Sequence, residues 1–201
     1  NGNLACCLVA VRQALCKYKD TVTDAEILIK LNESISSVQS ILKSMDFSLL
    51  YDEKKDLFSV GFDVEAQKLS EYAYDMFASE ARQTSFYALI SGEVGIKHWQ
   101  RLSRIVVKRS GRYILKSWSG SMFEYLMPAL LLKTYDNTLW SNAFDGIIEE
   151  QMRYARKVKR PWGISESGYW HFDGDKYYQY KAFGIPYAAV RHTKTGEYVV
   201  A

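Results

Sequence analysis

A chain of 201 residues, 48% hydrophobic and 24% charged, is long enough to bury a core and too apolar to stay disordered. Its net charge of +3 is too small to support recognition of nucleic acid or of a charged membrane surface. No apolar run approaches the ~20 residues that cross a bilayer, and the length suits a single domain.

Residues 4–18 predict a helix with Leu4, Cys7, Leu8, Val11, Leu15 and Tyr18 on its inward face. Cys6, Cys7 and Cys16 are odd in number and clustered on that helix, so they form no disulfide framework and have no metal spacing. They read as reduced core thiols of a reducing compartment. The chain begins without Met or a secretory leader and stops after Val199-Val200-Ala201, which suggests a piece of a longer protein. Thr23 and Asp24 are candidate caps for a short second helix to about Lys30, and a third is expected over 34–45. Residues 47–51 and 57–62 then flank a charged turn as a β-hairpin.

The spacing predicts a helix over 73–91, with Met76, Phe77, Glu80, Thr84 and Tyr87 on one face. A short helix at 96–102 carries His98, which has no ligand partner at helical spacing and reads as structural, as do His171 and His192. A second hairpin is expected at 105–107 and 113–115, around Arg109-Ser110-Gly111. Ser121 caps an apolar helix over 122–133, interrupted by Pro128. A helix over 138–158 ends in a basic run, read as a solvated terminus, with Glu149 and Glu150 pointing outward. Pro161 stops it. The segment around Tyr178, Gln179 and Tyr180 reads as extended.

Two carboxylates carry the chemistry. Glu80 lies on the stripe expected to face inward, where a charge must be paired, hydrogen-bonded or used. Glu166 is expected on a tight loop, freed by Gly163 and Gly168 and set among Trp162, Tyr169 and Trp170. Desolvation by those rings would raise its pKa, as a general acid near neutrality requires. Aromatic content of 14% fits a ring-lined cleft in which sugars stack. Glycosyl transfer and glycoside hydrolysis each need two carboxyls flanking an anomeric carbon, and these two form the best pair. Glu124 opens a helix, where it either caps the terminus or bonds a sugar hydroxyl. No GxSxG, HExxH, Walker or GxGxxG motif is present, no metal-binding cluster is evident, and Ser165 and Ser167 lack an evident His–Asp relay.

Five ordered blocks carry a resemblance. They are Phe58-Ser59-Val60-Gly61-Phe62-Asp63, Tyr74-Asp75-Met76-Phe77-Ala78-Ser79-Glu80-Ala81-Arg82, Ser117-Trp118-Ser119-Gly120-Ser121-Met122-Phe123-Glu124-Tyr125-Leu126-Met127-Pro128, Pro161-Trp162-Gly163-Ile164-Ser165-Glu166-Ser167 and Tyr178-Gln179-Tyr180-Lys181-Ala182-Phe183-Gly184-Ile185-Pro186. Spread over 46–190, they resemble the glucoamylase-like central domain of cyclic β-1,2-glucan synthases. After Glu166, the run Ser167-Gly168-Tyr169-Trp170-His171 departs from that family, which usually has a small residue, an aromatic and an Asn there.

The resemblance implies a mainly α fold, part of an (α/α)6 toroid with small inserted β-hairpins. Residues 1–201 would form one partial domain of a longer multidomain chain. It implies retaining transglycosylation that cyclises linear β-1,2-glucan, with Glu80 as nucleophile and Glu166 as acid/base. Arg82, Trp118, Glu124, Trp162, Tyr178 and Gln179 become subsite candidates, with Tyr169 beside the acid. No cofactor or metal is implied. The partners would be the glucan and the other domains, with no nucleic acid, on the cytoplasmic side of a bacterial inner membrane within a larger membrane protein. An endo-β-1,2-glucanase and a non-catalytic glucan-binding module are the alternatives.

Overall fold

The computed structural model describes residues 2–172, 174 and 178–191, without the side chains of Tyr169, Trp170, His171 and Tyr178. His192 and Lys176–Tyr177 lie outside the described residues. The chain divides into two compact units, one of Asn1–Asp75 with Gln83–Arg101, the other of Met76–Arg82 with Leu102–Ala201. Among the described residues no helix is long and apolar enough to cross a membrane.

In the first unit, α1 (Gly2–Lys19) and α2 (Ala25–Ser44) form a helical hairpin. Asp24 caps α2, its carboxylate accepting from the N–H groups of Glu26 and Ile27 at 2.9 and 3.0 Å. The two short helices expected over 24–45 are therefore one. Ser34 does not break it, because its hydroxyl donates back to the Lys30 carbonyl at 2.8 Å. The predicted inward stripe of α1 is largely outside: Leu4, Val11, Tyr18 and also Cys7 are exposed, while the small Gly2 and Ala5 are buried. A Cβ on Gly2 would meet Thr84, so close approach, not bulk, seats this helix.

Two antiparallel strand pairs follow, β1 (Tyr51–Asp52) with β2 (Leu57–Phe58), and β3 (Phe62–Asp63) with β4 (Lys68–Leu69). The unit is completed by α3 (Arg82–Ile90), all but its first residue, and by α4 (Ile96–Arg101). Ala5, Leu42, Phe47, Phe58, Ala88 and Val94 form its core. His98 is fully buried beside the Phe58 and Tyr51 rings, with Nδ1 2.9 Å from the Asp56 carbonyl, as befits a structural histidine.

The second unit holds β5 (Val106–Arg109) and β6 (Arg112–Leu115), the hairpin expected around Ser110-Gly111. Along β6 runs α6 (Leu139–Val158), and its Gly146 lets the helix approach the Tyr113 carbonyl more closely than any Cβ would allow. Thr138 and Ser141 cap α6 reciprocally. Lys159 ends it in the left-handed region, ahead of Pro161. Glu150 does not point outward. It is buried and paired with Arg109 and Arg153 at 3.2 and 2.5 Å. The unit also contains α5 (Met122–Ala129), which carries Pro128 inside it and ends short of Lys133, and the pair β7 (Glu166–Phe172) and β8 (Tyr178–Ala182). Ile114, Leu115, Tyr125, Trp140, Ile147, Ile164 and Ile185 are among its core residues.

The expected part of an (α/α)6 toroid is corrected by this architecture. A toroid needs inner and outer helices paired around a ring. Here α1 and α2 pair with each other in one unit, while in the other α6 lies on a β-hairpin. Each of the four strand pairs among the described residues is a separate two-stranded sheet. The helical content is real, but among the described residues the helices within neither unit pair into such a ring.

Candidate functional site

The site lies in the second unit, and a loop of alternating serines builds it. Ser121 caps α5 in a capping box with Glu124. The Glu124 carboxylate is only 4% exposed and accepts from the hydroxyls of Ser117 and Ser119 at 2.8 and 2.6 Å. It also accepts from the N–H groups of Ser119 and Ser121 at 3.1 and 2.9 Å. The loop is fixed from outside as well. The Ser117 N–H donates to the Ala188 carbonyl at 3.0 Å, and the Ile185 N–H to the Gly120 carbonyl at 3.0 Å. Gly184 has to be glycine, since a Cβ there would collide with the Ser119 carbonyl.

Glu166 is not on a loop. It opens strand β7, directly after Gly163, whose φ of +100° makes the turn, and Ile164-Ser165. Glu166 pairs with Ala182, and Gly168 with Tyr180. Paired residues share a face, so Tyr180 is the diagonal neighbour of Glu166, and Gly168 leaves room for its ring. The Tyr180 hydroxyl donates to Glu166 Oε2 at 2.5 Å, and the Ser121 hydroxyl reaches Oε1 at 3.3 Å. Burial, the bond to Glu166 and the nearby Glu80 hold the Tyr180 hydroxyl above its usual range.

Glu80 is not on a helix either. The expected helix over 73–91 begins only at Arg82. Before it, Met76 bridges to Ser103, and the Phe77 N–H donates to the Ser103 carbonyl at 3.0 Å. The Ser79 hydroxyl accepts from the Ala81 N–H at 3.1 Å, a local turn that competes with helix. The same hydroxyl lies 3.2 Å from Glu80 Oε2. Burial pushes the Glu80 carboxyl up, and the charges of Glu124 and Glu166 push it further. The two carboxylates proposed from sequence are thus within electrostatic reach of one another, with Glu124 as a third.

The other candidates divide. Trp162 is 48% exposed and, with Met122, Leu126, Met127 and Leu130, lines a cavity of about 360 Å³ that opens beside Glu166. Trp118 is also partly exposed, and Gln179 is half-buried in β8, paired in register with Tyr169. The side chains of Tyr169 and Tyr178 lie outside the described residues. Arg82 and Glu124 are turned inward. Arg82 is 4% exposed, its guanidinium 3.4 Å from the Trp140 ring centre, and burial lowers its pKa to about 9. Glu124 is engaged by the serine loop, which realises the cap.

Three residues escaped sequence reasoning. Tyr180 was readable only as an extended tyrosine, since its partner depends on hairpin register. Ser121 reads as a cap from sequence, and nothing local marks it as a neighbour of Glu166. Gln151 of α6 is fully buried and ties the loops before Glu124 and Glu166 together. Its amide donates to the Gly120 and Ile164 carbonyls at 3.2 and 3.0 Å and accepts from the Ile164 N–H at 3.1 Å.

No family model matches the chain. Over 148 residues, 74% of its length, it is 41% identical to the cyclic beta-(1,2)-glucan synthase NdvB of Rhizobium meliloti (strain 1021), and the match spans 5% of that much longer protein. The chain is related in sequence to that segment of a cyclic glucan synthase.

Proposed function

We propose that this chain is the transglycosylating part of a larger β-1,2-glucan synthase, closing linear glucan into rings through Glu80 and Glu166. One observation carries the reading: a carboxyl raised by burial sits within reach of a second carboxylate held by two hydroxyls. A carboxyl raised by burial beside one that accepts hydroxyl hydrogen bonds is an arrangement suited to an acid and a nucleophile. It also argues for the reverse of the roles that the resemblance implies. Glu80 suits the acid/base, and Glu166, hydrogen-bonded by Tyr180 and Ser121, suits the attacking anion.

In that scheme Glu166 attacks the anomeric carbon while Glu80 protonates the departing glycosidic oxygen, leaving a glycosyl ester on Glu166. Glu80, now a carboxylate, takes the proton from a hydroxyl at the far end of the same glucan. That oxygen displaces Glu166 and closes the ring, and no water is consumed. Trp162, exposed beside Glu166, offers a face for a pyranose ring to stack on.

The test is to incubate the full-length protein that contains this chain with linear β-1,2-glucan and to separate the products by mass, with Glu80→Gln and Glu166→Gln in parallel. Cyclic products one water lighter than the linear oligosaccharides, absent in both variants, are expected. Shortened linear products would instead indicate a hydrolase, and glucan binding without turnover a binding module.

Tyr180→Phe keeps the ring and removes the donor to Glu166. Tyr180 is 60% exposed, so the fold should be unaffected. Turnover is expected to fall about tenfold, the scale of one hydrogen bond to a charged group, in initial-rate assays with substrate binding retained.

A further inference from the structure

We propose that Glu124 is a positioning residue of this site, acting on Glu80 by its charge and on Glu166 through the Ser121 hydroxyl. The inference rests on the catalytic reading of Glu80 and Glu166, and it starts from hydrogen-bond geometry. Each recorded partner of the Glu124 carboxylate is a hydroxyl or a backbone N–H, the set of donors that an anion requires. Among the described residues no lysine or arginine forms an ion pair with Glu80, Glu124 or Glu166. The buried charge is held by dipoles alone, so its field is not cancelled locally by a cation.

Ser121 is the second link. Its Oγ lies 3.1 Å from Glu124 Oε2 and 3.3 Å from Glu166 Oε1. A hydroxyl has one proton, so the two carboxylates compete for it. When Glu166 becomes an ester during the reaction it loses its charge, and the Ser121 proton then turns to Glu124. When the ester is displaced, the proton is free to return to Glu166. Ser121 is fully buried and caps α5, so its oxygen stays in place while its proton moves.

Charge is the third link. The titratable groups facing Glu80 are Glu124 from α5, Glu166 from β7 and Tyr180 from β8. While Glu166 is esterified, Glu124 is the carboxylate that remains beside Glu80. It favours the protonated form of Glu80, and so makes Glu80 a stronger base for the second step. The negative charge stays constant through the ester, since Glu80 gains what Glu166 gives up, and the Glu124 charge is unchanged throughout.

The experiment is a pH titration of ¹³C-carboxyl-labelled glutamates by NMR in the wild type, Glu124→Gln and Ser121→Ala, each with its thermal melt. In Glu124→Gln the Glu80 midpoint is expected to move to lower pH. An unmoved midpoint in a folded Glu124→Gln would overturn the charge link. Ser121→Ala keeps the backbone donors to Glu124. It is expected to lower turnover about tenfold with KM retained, and to change the Glu166 carboxyl titration. A lowered melting temperature with an unchanged Glu166 titration would reduce Ser121 to a helix cap and overturn the bridge, and it decides the matter even if Glu124→Gln does not fold. Because the titrations need no turnover, a chain inactive on β-1,2-glucan would sink the functional reading while leaving this one measurable.

Discussion

Glu80→Gln is expected to lose turnover and yet melt at a higher temperature than the wild type at neutral pH. A carboxyl raised in the folded state binds its proton more tightly there than in the unfolded chain. Its contribution to stability is full below the unfolded glutamate pKa and is lost as pH rises through the raised folded value. At pH 7 the unfolded wild type gains by ionising a carboxyl that the folded state, where it is half-buried and faces Glu124 and Glu166, holds toward its proton, and glutamine carries no such cost. The advantage of Glu80→Gln should vanish toward about pH 4, where the wild-type carboxyl is protonated as well. Melting curves at both pH values check this, and equal differences at the two would show that burial is not what raises Glu80. Turnover should fall about 10²–10⁴-fold, the range for a lost general acid. The roles separate with a substrate whose aryl leaving group departs without protonation. Such a substrate should restore the first step in Glu80→Gln and not in Glu166→Gln, which lacks the nucleophile. The opposite pattern would give Glu80 the nucleophilic role.

What the sequence made legible was local. The limits of α6 follow from Thr138 and Pro161, and the β5/β6 turn follows from Ser110-Gly111. Glu80 and Glu166 stood out because a carboxylate among apolar or aromatic neighbours needs a reason. What stayed hidden depends on distant partners. The apolar spacing of Met76, Phe77, Thr84 and Tyr87 imitates a helix, but pairing with Ser103 and the Ser79 turn hold the chain open until Arg82. Ser121 reads as a helix cap from its position alone, but that Ser117 and Ser119 converge on the Glu124 carboxylate depends on the folded loop. Tyr180 meets Glu166 only through the β7/β8 register. The toroid comes from resemblance, and the pairing of elements within each unit corrects it.

Gln151→Leu should be strongly damaging although it touches no carboxylate of the site. Leucine matches the volume, so the loss is chiefly polar. The Ile164 carbonyl keeps the Met122 N–H at 3.1 Å and the Gly120 carbonyl keeps the Ile185 N–H, but the buried Ile164 N–H loses its acceptor, Gln151 Oε1. An orphaned buried N–H with the other lost bonds costs about 2–4 kcal/mol, or roughly 5–15 °C in melting temperature for a chain of this size. Turnover should fall at 25 °C even where the protein is still folded, because Gln151 anchors the residue two before Glu166 and the serine loop at once. Gln151→Glu separates these effects. It keeps an acceptor for Ile164 but turns an oxygen toward two carbonyls, so its carboxyl should be driven toward the protonated form, whose O–H is again a donor. The Glu variant is thus expected to regain stability as pH falls, while Gln151→Leu, with nothing to titrate at that position, should show no such recovery. Parallel behaviour of the two variants in pH-dependent melts would mean that the amide fills space between the loops and does not tie them together.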